Sequence, residues 1–97
     1  MEIASIPESE PETMESDVQE STATKRAGFS TAYDGKTVRS SEVTFQPGER
    51  TKFHTHAGIQ MLYVTDGEGV VGTRDEERTV SEGDLIVFPP GEEHWHG

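Results

Sequence analysis

The chain holds only four histidines, and they form two pairs of identical spacing: His54 and His56 in "HTHAGIQ", and His94 and His96 in "GEEHWHG". A glutamine, Gln60, follows His56 by four positions. On an extended strand, residues i and i+2 point to one face. Each pair therefore presents two imidazoles to one side, with Phe53, Thr55 and Trp95 turned to the other. A lone histidine in a strand is more often a hydrogen-bonded core or surface residue than a ligand. Two H-x-H pairs with an amide between them make a different case. Three imidazole nitrogens and one amide oxygen suit a divalent first-row metal that keeps positions open for water or substrate. His96 shares the parity of His94 and could transfer protons beside such a metal. Its plainer reading is a histidine near a strand end, bonded to solvent.

The elements that must position these residues are short strands separated by turn signals. "TVRSSEVTF" (37–45) ends at Pro47-Gly48, "TKFHTH" (51–56) at Ala57-Gly58, and "QMLYVT" (60–65) at "DGEG". "VVGT" (70–73) and "RTV" (78–80) flank the acidic "RDEE", and "DLIVF" (84–88) ends at "PPG". Helical periodicity is absent. Six short strands at this spacing predict an antiparallel sandwich or barrel. If Gln60, Leu62 and Val64 face the interior, Gln60 returns to the side of the imidazoles. Gly48, Gly67, Gly83 and Gly91 read as turn glycines and carry no chemistry of their own.

Ninety-seven residues allow one small domain. Cysteine is absent, which excludes disulfides and thiolate metal sites. No apolar run reaches a membrane span, and the first residues lack the pattern of a secretory signal, so a cytoplasmic location is expected. The net charge is −11. Residues 1–24 carry seven acids and no Lys or Arg, and the remainder has a net charge of −4. Such a surface repels nucleic acid and anionic lipid, so neither is expected as a partner. The acid excess and the preference for Arg over Lys would also suit a high-salt cytoplasm. "ESEPETMESDVQESTAT" (8–24) is rich in Glu, Ser, Thr and Pro, and Met14 and Val18 alone are weak grounds for an amphipathic helix. Residues 1–27 are accordingly read as an acidic, disordered leader, and residues 28–97 as the folded domain.

"GERTKFHTHAGIQMLYVTDGEG" resembles the first cupin motif: glycine, five residues, H-x-H, three residues, usually glutamate, six residues, glycine. Here it runs through Gly48, His54, His56, Gln60 and Gly67. "GDLIVFPPGEEHWHG" resembles the second, through Gly83, Pro89, Gly91 and His94. The resemblance covers roughly residues 40–97. It implies an all-β fold, the cupin-type antiparallel β-barrel or double-stranded β-helix, with one divalent metal on His54, His56, Gln60 and His94. Gln60 departs from the usual glutamate. Glutamine there, with an H-W-H-G ending to the second motif, resembles small manganese cupins related to hydroxynitrile lyases. Manganese is thus the first expectation, with iron, nickel and zinc as alternatives. The family motif also continues past Gly97 to an asparagine and further strands. The expectation is a barrel incomplete at its C-terminal end, dependent on metal for folding, prone to self-association, or both.

Three neutral imidazoles and a neutral amide leave the +2 of a divalent ion uncompensated, where glutamate would leave +1. The more positive site is the better Lewis acid and the poorer electron donor, although groups behind the ligands also tune it. This tilts the expected chemistry toward a lyase acting on a small organic substrate, with His96 moving the proton. A metal-dependent dioxygenase and a non-catalytic ligand-binding or sensor cupin are the alternatives. The family resemblance further implies a homo-oligomer, dimer or larger.

Overall fold

The computed structural model describes residues 1–13 and 23–97, so Met14 and Val18 lie outside the described residues. Eight antiparallel strands follow a 3-10 turn at Ile6–Glu8: β1 (Glu12–Thr13), β2 (Thr24–Tyr33), β3 (Lys36–Thr44), β4 (Gln60–Tyr63), β5 (Glu68–Thr73), β6 (Glu77–Ser81), β7 (Leu85–Phe88) and β8 (His94–His96). They form three sheets, ordered β1-β2-β3, β4-β7 and β6-β5-β8. No α-helix occurs among the described residues. The all-β cupin-type architecture expected from the two motifs is what the chain adopts, with sheets that do not close into a continuous barrel.

β2 was not legible as a strand in the sequence. Its run is broken by Gly28, Ser30 and Thr31, so it lacks a clean apolar alternation. The signal that could have revealed it is Asp34-Gly35. Both residues have positive φ, 49° and 75°, as the two-residue turn of a tight hairpin demands. That turn sets β2 against β3 from Tyr33↔Lys36 to Thr24↔Thr44, with an irregularity between Ala27 and Ser30.

The expected strand at 51–56 is also not a strand. The segment touches the sheet at two points only. Thr51 N–H donates to His96 O (2.8 Å), and His54 exchanges both backbone bonds with His94 (2.9 and 3.0 Å). Two residues, Lys52 and Phe53, thus stand opposite Trp95 alone, which is the arrangement of a β-bulge. The bulge matters to the site. In an unbroken strand Lys52 would share the face of His54 and lie opposite His96. The extra residue turns its ammonium out to solvent and turns buried Thr51 in, where its hydroxyl accepts the His96 N–H at 3.0 Å.

The buried apolar side chains among the described residues are Ala23, Phe88 and Trp95, joined by the buried polar Thr51 and His94. Trp95 lies on the far side of β8 from the histidines. Its indole lies against the backbone of Gly72, its β5 partner, with the Arg50 guanidinium 4.8 Å from the ring centre. A Cβ on Gly72 would collide with the indole. Gly72→Ala is therefore expected to lower stability by about 1–3 kcal/mol through overpacking, read as a lower urea midpoint at unchanged slope. An unchanged midpoint would mean that the indole can move aside.

Candidate metal centre

The two H-x-H pairs meet because one pair of backbone bonds joins them. His54 and His94 form an isolated antiparallel bridge, and directly opposed residues share a face. Their rings lie 4.5 Å apart between centroids. His56, two residues on, comes within 4.9 Å of His54 and 5.3 Å of His94. Candidate ligand atoms of His54, His56 and His94 all lie within 4.8 Å of one another. Gly91, with φ of 78°, makes the turn that returns the chain into β8, and its N–H donates to His56 O at 2.9 Å. A residue with a Cβ would be strained there.

Gln60 arrives from a different element. β4 pairs with β7 in the register Gln60↔Phe88 and Leu62↔Ile86, so Gln60 and Phe88 stand side by side on the inner face. Phe88 stacks on His94 at 3.9 Å and 9°. Gln60 Oε1 lies 2.8 Å from His94 Nε2. Sequence parity anticipated this placement of Gln60. It missed Phe88, whose role appears only through the β4–β7 register, and it missed Thr51, which the bulge brings inward.

The tautomers follow from the backbone. His54 Nδ1 lies 2.7 Å from Lys52 O, and His94 Nδ1 lies 2.9 Å from Glu92 O. A carbonyl can only accept, so both Nδ1 atoms carry the proton and both Nε2 atoms present lone pairs. Such a bond to the remote ring nitrogen is the usual support of a metal-ligating histidine. His94 Nε2 then faces Gln60 Oε1, acceptor to acceptor, at 2.8 Å. Two arrangements relieve that contact: the amide turns and donates, or a cation accepts both lone pairs. His54, His56 and His94, with Gln60 beside them, are the residues that would hold such a cation. The cluster is compatible with a divalent metal.

His96 stands beside this cluster, its ring 5.5 Å from His54 and 5.9 Å from His94, and edge-on to Phe45 at 5.9 Å. Burial, followed by the neighbouring His54, His94 and His56, pushes its pKa down to about 3. Burial also lowers His56, with His54 and His94 adding to it, and it lowers His94. His56 is the exposed member and marks the side open to solvent, whereas His94 is 1% exposed. On the outer side, the Arg74 guanidinium lies 3.8 Å from the Phe53 ring centre and pairs with Glu93 at 2.5 Å, bracing the neighbours of His54 and His94 together.

A model of the cupin domain matches residues 41–97. The chain is 46% identical over 69 residues to an (R)-mandelonitrile lyase of Granulicella tundricola, a match that takes in 68% of this chain and 51% of that protein. The chain thus spans about half the length of the curated relative it matches. A cupin-like protein of Thermotoga maritima superposes with a TM-score of 0.75 at 32% identity, over 100% of this chain and 68% of that one.

Two outcomes follow from the site's electrostatics. Neutral imidazoles bind metal and protonated ones do not. Because His56 and His94 are held below their ordinary 6.5, their protonation should compete with metal only in more acid solution than an ordinary histidine's would, and metal affinity should fall as pH drops below about 6.5. A steep fall already under way at about pH 7.5 in a calorimetric titration would contradict these environments. Folding follows the same sign. The unfolded chain takes up protons on these histidines below about pH 6.5 while the metal-free fold resists them, so stability should decline as pH falls from there. Urea midpoints measured across that range check it.

Proposed function

The chain belongs to the cupin family, and on that premise we propose that it is a metal-dependent lyase acting on a small organic substrate of the cyanohydrin class. The observation that carries this reading is the convergence of His54, His56 and His94 within 4.8 Å, with an uncharged amide, Gln60, 2.8 Å from His94. That the Granulicella relative is an (R)-mandelonitrile lyase supports the substrate class. His54, His56, Gln60 and His94 would hold one divalent cation, manganese first and iron, nickel or zinc as alternatives. Bound there, it supplies Lewis acidity undiminished by any ligand charge.

His96 is the residue assigned to proton transfer. With its pKa near 3 it is neutral at pH 7 and has a lone pair to offer. So weak a base accepts a proton only from a hydroxyl already made acidic, and it gives that proton up readily. In cyanohydrin cleavage the hydroxyl proton passes to the His96 ring, the carbon–carbon bond to the nitrile breaks, and the carbonyl forms. Cyanide leaves with the bonding pair and recovers the proton from the imidazolium. Phe45 and Phe88 flank the ring and limit its access to water. The reading includes a cytoplasmic protein that works as a homo-oligomer.

The decisive experiment is cleavage of (R)-mandelonitrile to benzaldehyde by protein of known metal content. His96→Ala should keep the metal and lose about 10²–10⁴-fold in kcat. His94→Ala should lose the metal. Gln60→Glu should retain metal more tightly and turn over more slowly, since the added charge reduces Lewis acidity. A Gln60→Glu variant faster than the parent would overturn the charge argument. Oxygen consumption would favour a dioxygenase, and tight ligand binding without turnover a non-catalytic cupin.

The same ligands come from both ends of the folded domain, so metal should stabilise it by mass action, by about 2.7 kcal/mol at a hundredfold excess over Kd. A chelator should lower the urea midpoint accordingly, and identical midpoints with and without chelator would exclude the tether.

A further inference from the structure

Arg74 is no part of the metal centre, yet it reaches both of the segments that the centre joins. It follows β5, whose last residue, Thr73, pairs with His94. The turn that carries it is fixed locally. Thr73 N–H donates to Glu76 O at 2.8 Å, and Thr73 Oγ1 accepts the N–H groups of Asp75 and Glu76 at 3.2 and 3.3 Å. From that turn the Arg74 guanidinium pairs with Glu93 Oε1 at 2.5 Å and stands 3.8 Å from the ring centre of Phe53. Glu93 directly precedes His94, and Phe53 directly precedes His54. Successive residues on extended chain point to opposite faces, so these contacts lie on the side away from the imidazoles. Between His54 and His94 there is a single bridge, with no ladder around it.

We propose that Arg74 is a positioning residue for the centre: by holding Phe53 to Glu93 it keeps the His54–His94 bridge closed, and so sets how tightly the centre retains a divalent cation. For the cation, the inference rests on the proposed function. Magnitude separates this role from a general contribution to stability. The Arg74 and Glu93 side chains are 62% and 43% exposed, and an exposed ion pair or cation–π contact adds little to global folding. A lone bridge, by contrast, can open without global unfolding. Its closed fraction, and with it the apparent metal affinity, responds to a small constraint placed beside it. Sign separates the role from a charge effect. A guanidinium near a cation repels it, so if charge alone counted, neutralising Arg74 would tighten metal binding. Loss of a clamp weakens it. The two contacts also call for arginine in particular. A planar guanidinium can lie on a ring and bond a carboxylate at once, and a lysine ammonium replaces it only in part.

Two readouts on the full 97-residue chain test it. The first is amide hydrogen exchange, by nuclear magnetic resonance on metal-free protein, at the His54 and His94 N–H groups that make the bridge. Arg74→Gln should speed exchange at both amides about 10-fold, with the urea midpoint unchanged. Phe53→Leu should act in the same direction, and Arg74→Lys should fall between Arg74→Gln and the parent. The second readout is calorimetric titration with manganese(II), where Arg74→Gln should raise the dissociation constant about 10-fold. Arg78→Gln removes the same charge from the same hairpin, where Arg78 pairs with Glu76 at 3.3 Å, and should neither speed exchange nor weaken binding. Should Phe53→Leu fail to fold, the two Arg74 variants decide. Unchanged exchange at both amides in Arg74→Gln overturns the proposal. So does manganese binding in that variant as tight as the parent's or tighter, or an equal loss in Arg78→Gln. A parent chain that takes up no manganese overturns the metal reading instead, and the exchange rates then decide the clamp alone.

Discussion

The candidate centre depends on one reciprocal pair of backbone hydrogen bonds, between His54 and His94. It is a single bridge and not part of a ladder, yet it joins segments forty residues apart. Because opposed residues in an antiparallel pair share a face, it converts two local H-x-H spacings into one cluster. Everything else in the site is arranged around it. The bulge at Lys52 and Phe53 removes a cationic side chain from the cluster and leaves Lys52 O aimed at the His54 ring. Phe88 stacks on His94, and Arg74 links Phe53 to Glu93 on the outside. These contacts fix imidazoles whose own rotamers would otherwise be loose.

Electrostatics give the cluster its character. The protein is strongly acidic, yet no carboxylate enters the candidate ligand set. Burial and mutual proximity favour the neutral forms of His56, His94 and His96, and neutrality is what a cation would require of His56 and His94 as ligands. Where a glutamate would add a charge, Gln60 adds a dipole. Under the proposed function, a cation held there would keep its full charge in an acidic protein, and that contrast would favour an anionic or oxyanionic group on the substrate.

The ladder of β4 and β7 presents different chemistry on its two faces. Period-2 alternation sends Gln60 and Phe88 toward the histidines and Met61, Tyr63, Leu85 and Val87 away from them. A core of so few buried apolar residues leaves a small domain marginal. A metal on the inner face would add stability from outside the chain's own packing. The cupin-like Thermotoga protein extends beyond the part that this chain matches.

The sequence by itself determined which residues could do chemistry. The spacing of His54, His56, Gln60 and His94 required only strand parity, a local property. Turn glycines such as Gly48 and Gly91 were readable because positive φ is a property of one residue. The β-rich class was legible from short apolar runs between turns. Tertiary structure decided what parity could not reach. Whether 51–56 forms a strand depends on its partner, and only the pairing with β8 shows that Thr51 and His54 bond to His96 and His94 with an extra residue between. The stacking of Phe88 on His94 depends on the β4–β7 register. The depressed pKa of His96 depends on burial, with Phe45 and Phe88 against the ring, and on the electrostatic influence of His54, His94 and His56. Long-range pairing is set by the sum of many weak contacts across the fold, and no window of sequence contains that sum.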